Sequence, residues 1–295
     1  MAKARALDRR RKAIGNIRKI TRTMELVATA RFAKAMDRAH AATAYTQRMT
    51  KLVSDVAKAG LTVSHPLLEQ RDEVRTAVVL VLTGNRGLCG AYNSNAQRTG
   101  FNQAEALRGE LPEVKLEVSG KRGINAAKFR SLEMHRSFTH FEDKPTFAEV
   151  EELADGYLED FVLGKLDRLD VAYTRFDSFA RQKAVVETLL PLASLGDQFE
   201  SDDDSESGPA TPYEFLPSAE SILEEVVPTS FKVKVFKCFL DAAVSEQIAR
   251  MLAMKGATEA ADDMIKSLTL QYNRARQSQI TNEIIEVVSG ADALT

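Results

Sequence analysis

Apolar and small residues recur along the last part of the chain at intervals of three and four: Leu240, Val244, Ile248, Met251, Met254, Ala257, Ala261, Met264, Leu268, Tyr272 and Ala275. That spacing is one stripe of an α-helix. No proline follows Pro228, and Gly256 is the only glycine between it and Gly290. The pattern therefore predicts a short helix over 218–226 and one long helix from about 228 to 289. About 60 residues at about 1.5 Å per residue give about 90 Å, longer than a globular domain is wide. Such a helix must pair with something or stand as a shaft.

A second stripe runs through residues 3–59: Ile17, Ile20, Met24, Ala28, Phe32, Ala35, Ala39, Ala42, Tyr45, Met49, Leu52 and Val56. Gly15 is its one breaker, and Gly60 stands where a helix C-terminal glycine is expected. Between the stripes the period changes. Residues 76–82 form a continuous apolar run, the pattern of a strand buried on both faces. A glycine turn, Gly84 to Gly90, leads into a helix over 91–108. A strand over 114–118, a helix around 125–130, a weaker strand near 135–139 and a helix over 147–166 follow. Strands over 170–176 and 183–190 are joined across Asp177 to Ala180. Alternating strands and helices predict a small, mostly parallel sheet. Residues 196–208 carry Asp202, Asp203, Asp204 and Glu206 among serines, which cannot bury apolar surface and predict a mobile loop.

This order sets a geometry. One long helix ends where the α/β region begins, and the other starts where that region ends. If they pair, they run antiparallel, with both chain ends far from the α/β region, and a repeat near 3.5 implies a left-handed supercoil. The seam is rich in alanine. A buried methyl stabilises by about 0.8 kcal/mol against about 1.5–3 kcal/mol for a leucine, so neighbours are expected to supply part of the shaft's stability. Past Ala275 the rhythm breaks at Arg276, Gln277, Ser278 and Gln279. Ile280, Ile284, Ile285, Val287 and Val288 follow with few charges, an apolar single helix that calls for a sleeve around it.

Composition narrows the function classes. The chain has 295 residues, 44% of them hydrophobic, and a formal net charge of -2. No run of 18 or more apolar residues marks a membrane span, and the basic N-terminus lacks the apolar core of a secretory signal. Cys89 and Cys238 make neither a disulfide framework nor a metal set. Arg5, Arg9, Arg10, Arg11, Lys12, Arg18, Lys19 and Arg22 form a basic run in which Asp8 is the lone acid. It reads as a solvated face, with a nucleic-acid arm as the alternative, although no aromatic precedes Phe32. No G-x-x-x-x-G-K-[ST] or G-x-G-x-x-G spacing exists. The glycines from Gly84 to Gly90 lie between strand and helix, where phosphates bind in other folds, but a tight turn explains them. His135 and His140, five apart, do not share a helical face or a ligand set. No cofactor, no metal and no nucleophile–base constellation is expected, which argues against an enzyme.

Three stretches carry a resemblance. Ile20-Thr21-Arg22-Thr23-Met24-Glu25-Leu26-Val27-Ala28, then Arg86-Gly87-Leu88-Cys89-Gly90, then Ser245-Glu246-Gln247-Ile248-Ala249-Arg250-Met251 resemble the signatures of the gamma subunit of rotary F-type ATP synthases, in order. So do Tyr272 to Gln277 and the run from Ile280-Thr281 to Ser289-Gly290-Ala291. The resemblance covers essentially the whole chain. Asn85 stands where the family often has Asp, and Ala91 where a further Gly is common. The resemblance implies an antiparallel two-helix coiled coil with an inserted Rossmann-like α/β domain. Its parts are an N-terminal shaft helix (1–60), a foot domain (74–195), an acidic loop and connector (196–217) and a C-terminal shaft helix (218–295). It implies a rotor that transmits torque between a membrane ring and three alpha and three beta subunits, with the epsilon subunit at the foot, and with no nucleotide bound by the chain itself. Arg22, Met24, Glu25, Arg250, Arg276, Gln277 and Thr281 match subunit-contact positions, and Phe215 and Leu216 fall near the membrane-ring contact. With no leader and no extra cysteine pair, a peripheral place on the cytoplasmic side of a bacterial plasma (inner) membrane, without thiol regulation, is the expected setting.

Overall fold

The computed structural model describes residues 2–58, 67, 71, 73–141, 144–192 and 219–292. Gly60, the acidic loop, Phe215 and Leu216 lie outside the described residues. The described elements are α1 (Ala2–Lys58), β1 (Thr76–Leu82), α2 (Tyr92–Glu110), β2 (Glu113–Ser119), α3 (Lys121–Phe129), β3 (Arg136–Phe138), α4 (Phe147–Val162), β4 (Arg168–Ser178), β5 (Arg181–Leu190) and α5 (Ala219–Asp292). The chain divides into two compact units, residues 31–249 and the paired segments 1–30 and 250–295.

In the unit of residues 31–249, five strands form one sheet in the order β3-β2-β1-β4-β5. The first four run parallel, and β5 returns antiparallel to β4 as a hairpin. Alternation along β1 explains its unbroken apolar run. Val78, Leu80 and Leu82 enter a core with α4 (Val150, Leu153, Tyr157, Phe161) and α5 (Val227, Phe231, Val235, Phe239). Ala77, Val79 and Val81 enter a second core with Phe101, Ala104 and Leu107 of α2 and Ile124 and Ala127 of α3. A strand with a core on each face has no polar side to show. One charge is buried between β2, β3 and α4. Glu117 accepts hydrogen bonds of 2.6 Å from the Tyr157 hydroxyl and 2.6 Å from Arg136 Nε. Burial drives the Tyr157 hydroxyl pKa well up, so it remains the donor. The same unit holds a helical seam in which Ala35 and Ala39 of α1 cluster with Leu240, Val244 and Ile248 of α5.

Three boundaries differ from the sequence pattern. The pattern predicts that α4 reaches residue 166, but it stops at Val162. Gly164, at φ 73°, donates to Phe161 O and Lys165 donates to Asp160 O, a Schellman closure that returns Leu166 to the core. The pattern starts α3 near 125, but the helix begins at Lys121, because the end of β1 receives its first amide groups. The third concerns Pro228, where the pattern begins the long helix. Instead, α5 is continuous from Ala219, with Pro228 inside it. Proline removes one amide donor and strains a helix by roughly 3 kcal/mol. Here the buried side chains of Val227 and Phe231 anchor both flanks, and Thr229 Oγ1 donates to Glu225 O at 2.8 Å.

In the unit of residues 1–30 and 250–295, α1 and α5 lie antiparallel: Arg11 stacks on the Tyr272 ring, Arg18 pairs with Asp262 and Thr258 donates to Thr21. Residue numbers fall along one helix as they rise along the other. Seven residues separate Thr21 from Ala28, and Met254, Ala261 and Leu268 repeat at the same interval; all five are buried. This is a coiled-coil period. Ile17, Ile20 and Met264, placed on the seam by the sequence stripe, are instead exposed. The strict heptad selects the smaller residues beside them, because only small side chains permit the helices to meet at Thr21 and Thr258.

Gly100 marks where α2 touches the sheet. A methyl there would sit 2.5 Å from Val81 Cγ2 and 2.9 Å from Ala172 Cβ, whereas one at Gly156 in α4 meets nothing within 4 Å. Urea unfolding is therefore expected to show Gly100→Ala destabilised by about 1–3 kcal/mol through overpacking. Gly156→Ala is expected to gain about 0.5–1 kcal/mol. Equal shifts of one sign in both variants would contradict this packing.

Candidate functional site: the helical pair and the glycine turn

Two places concentrate the residues singled out by sequence. One is the helical pair of the unit 1–30 and 250–295. A groove of about 540 Å³ opens there, lined by Arg18, Lys19, Arg22, Thr23 and Glu25 of α1 and by Lys255, Thr258, Glu259 and Asp262 of α5. Arg22 Nη1 donates to Glu25 Oε1 at 2.8 Å, and Arg18 Nη1 to Asp262 Oδ1 at 2.9 Å. Exposed pairs of this kind contribute about 0–1 kcal/mol, so they leave the guanidiniums open to exchange partners. Glu25 Oε2 is buried and accepts no hydrogen bond among the described residues. Met24 is half-buried beside it, and Arg250 is buried on α5. Around Asp8 the basic run is partly neutralised: a hydrogen bond from Lys12, then one from Arg11, hold its carboxyl below the ordinary value.

Arg276, Gln277 and Thr281 stand apart from this groove. All three are exposed on the late turns of α5. Arg11 meets Tyr272. Farther along α5, Ile280, Ile284, Ile285, Val287 and Val288 are 44–72% exposed. A helix that shows this much apolar surface to water is a contact surface without its contact.

The other place is the glycine turn after β1, in the unit of residues 31–249. Here sequence leaves a phosphate cradle as an alternative, and the geometry answers it. Lys121 N donates to Asn85 Oδ1, Arg122 N to Gly84 O and Gly123 N to Thr83 Oγ1. The first amides of α3, which borders the turn, are thus tied to the chain segment that follows β1. Gly84 N donates to Asn93 Oδ1 at 2.8 Å, and the Glu246 carboxylate lies against the Gly84 α-carbon. A carboxylate already fills the place an incoming phosphate would take, and like charges exclude one another there. The outer edge of the turn carries Leu88, exposed and at φ 62°, a conformation disfavoured by about 1–2 kcal/mol for a side-chain-bearing residue.

Glu246, Asn93 and Thr83 are the anchors that sequence reasoning passes over. Glu246 lies inside the Ser245–Met251 stretch, but its role comes from tertiary placement of α5 against β1, which no local pattern carries. In the same stretch Ser245, Glu246, Gln247 and Arg250 are buried polar groups, as is Asp241 one turn before it. Among the described residues, no three His, Cys, Asp or Glu side chains gather as metal ligands, and no helix is long and apolar enough to cross a membrane. His40, His135 and His140 are exposed, and Cys89 and Cys238 are buried thiols outside any disulfide.

Comparison with known proteins comes to the same place. The family described as ATP synthase matches residues 3–294. The ATP synthase gamma chain of Rhodopirellula baltica is 63% identical over 294 residues, covering 100% of this chain and 99% of that one. The gamma chain of Leptospira biflexa is 39% identical, covering 100% of both. Among solved structures, a chain of the Euglena gracilis mitochondrial ATP synthase (OSCP/F1/c-ring, rotational state 3) aligns with a TM-score of 0.65 at 18% identity. It covers 99% of this chain and 95% of that one, a likeness of fold.

If the Glu246–Gly84 contact holds the glycine turn, Gly84→Ala drives a methyl to 2.7 Å from that carboxylate and is expected to destabilise by about 1–3 kcal/mol. In a Glu246→Ala background the same change is expected to be nearly neutral. A double-mutant cycle by chemical denaturation with no coupling between the two positions would sink this contact.

Proposed function

The chain belongs to the ATP synthase gamma-chain family, and we propose that it is the central-stalk rotor of a bacterial F-type ATP synthase. In that role it carries torque between an ion-driven membrane ring of c subunits and a ring of three alpha and three beta subunits, with the epsilon subunit beside its foot. The observation that carries this reading is the 63% identity to a gamma chain along 294 residues. The antiparallel helical pair, with its bare apolar end, supports it. The chain supplies no catalytic group of its own. Its helical pair presents a different face to each beta subunit at each orientation, and only such differential contact can shift the conformational equilibria of its neighbours.

The contact residues take graded roles. Arg22 and Glu25, on the groove of the helical pair, and Met24 beside them meet the moving segments of beta, and Arg250 supports them from α5. Arg276, Gln277 and Thr281 meet the alpha–beta ring, where the end of α5 is enclosed. Phe215 and Leu216 serve the membrane-ring contact. The functional parts are the shaft helix 1–60, the foot 74–195, the connector 196–217 and the shaft helix 218–295. The protein works as a peripheral component on the cytoplasmic side of the plasma membrane. The competing nucleic-acid reading draws only on the basic run of α1, part of which is already paired within the chain.

Reconstitution tests the reading. The purified chain alone is expected to hydrolyse no ATP, while its addition to alpha and beta subunits yields an active complex. Hydrolysis by the chain alone, or no gain on mixing, would overturn it. For the contact residues, Met24→Lys in the assembled complex places a cation on the groove. ATP-driven proton pumping per ATP hydrolysed is expected to fall, while the melting temperature of the isolated chain stays within a few degrees. Normal pumping in this variant would remove Met24 from the contact.

A further inference from the structure

Asp241 lies one turn before Ser245 on α5, and Ser245 Oγ donates to Thr174 O of β4. Asp241 is therefore on the face of α5 that meets the β4–β5 hairpin. It is 4% exposed, and its Oδ2 has no hydrogen-bond partner among the described residues. The charged groups around it come from each element packed there. Lys237 is one turn earlier on α5, Arg175 and Asp177 are on β4, and Glu187 is on β5. On α1, whose Ala35 and Ala39 cluster with Leu240 and Val244, the titratable residues flanking those alanines are Lys34, Asp37, Arg38 and His40, and the Cys238 thiol of α5 and the Tyr173 hydroxyl of β4 also feel the Asp241 charge. Neither close hairpin charge is uncommitted. Arg175 Nε donates to Asp177 Oδ1 at 2.9 Å. Glu187 accepts from the Tyr173 hydroxyl at 2.6 Å and pairs with Lys234 at 3.6 Å.

We propose that Asp241 is a proton-operated latch between α5 and the β4–β5 hairpin. Protonated, it sits in the wall of α5 as a small neutral acid. Ionised, it carries a charge into a buried place that offers its second oxygen no donor, and the contact between helix and hairpin loosens. Burial pushes the carboxyl up to about 6, with Lys237 pulling the other way and Glu187 adding to the rise. The sign follows from linkage. A carboxyl whose folded pKa lies above its unfolded one favours folding while protonated. That contribution is fully present below about pH 4, the unfolded value, and is lost as pH rises through about 6.

The test is the pH dependence of unfolding of the full chain against Asp241→Asn, from pH 4 to 8. The folding equilibrium constant of the wild type is expected to fall about 50-fold relative to the variant between pH 4 and pH 7. Parallel curves overturn the latch. Should the asparagine variant fail to fold, the wild type decides alone through carbon NMR of its side-chain carboxyls. One aspartate titrating near 6, with hydrogen exchange of β5 amides rising over the same interval beyond the intrinsic rate, upholds the latch. No aspartate titrating above about 5, or exchange that tracks only the intrinsic rate, rejects it.

Discussion

The helical pair depends on how closely two helices can approach when the residues between them are small. Thr21, Ala28 and Ala261 bring little apolar surface into the seam, and each buried methyl contributes only about 0.8 kcal/mol. Met254 and Leu268 add more, and the Thr258–Thr21 hydrogen bond fixes the register. The seam thus gives direction and spacing with modest adhesion. Larger residues would bury more but would separate the backbones, and the isoleucines at 17 and 20 are accordingly turned outward. A pair held this way keeps its outer faces available for other proteins, which is what a rotor inside a ring requires.

The α/β unit follows the opposite logic. Its sheet is covered on both faces, its fully buried carboxylates are satisfied (Glu117 by Tyr157 and Arg136, Asp170 by Gln103, Arg168 and Thr188), and its glycine turn is tied by the chain's own polar groups. In many doubly wound sheets the amides after the first strand remain available to a ligand. Here Asn93 accepts from Gly84 N after β1, Asn85 and Thr83 accept from the first amides of α3 after β2, and the Glu246 carboxylate lies against Gly84. The fold keeps the shape of a nucleotide-binding sheet while its binding crevice is a joint between β1, α3 and α5.

Much of this was legible in the sequence wherever one period dominated. The run Thr76–Leu82 gave its strand to the residue, because an apolar stretch with two covered faces has no competing reading. The helical stripes gave α1 and α5 and their antiparallel sense. What escaped was set by contacts distant in sequence. Gly164 ended α4 through a left-handed residue that no apolar count reveals. Pro228, read as a start, was overridden by the burial of Val227 and Phe231. Nothing local to Glu246 and Asp241 announces that a sheet lies against both. Of the contact residues, the groove group of Arg22, Met24 and Glu25 was separable from the end group of Arg276, Gln277 and Thr281 only once the register of the pair was known.

The single helix α5 passes through three chemical settings, and their order bears on how torque can be carried. From Cys238 to Ile248 every side chain is buried, polar and charged ones included, so this segment is held by close packing and by hydrogen bonds such as that from Ser245 Oγ to Thr174 O. From Met254 to Leu268 one heptad face is covered and the rest is open. From Ile280 to Val288 apolar side chains are exposed all round. Hydrogen bonds and ion pairs depend on angle, so a surface built from them resists turning against its neighbour. Apolar contact depends on area and not on direction. A helix end that must rotate within a close-fitting sleeve is therefore best made of isoleucine and valine, and polar groups belong where a step must be felt. Arg276 and Gln277 stand between the two regimes and Thr281 at the start of the second, where the contact we propose for them would change from smooth to orientation-dependent.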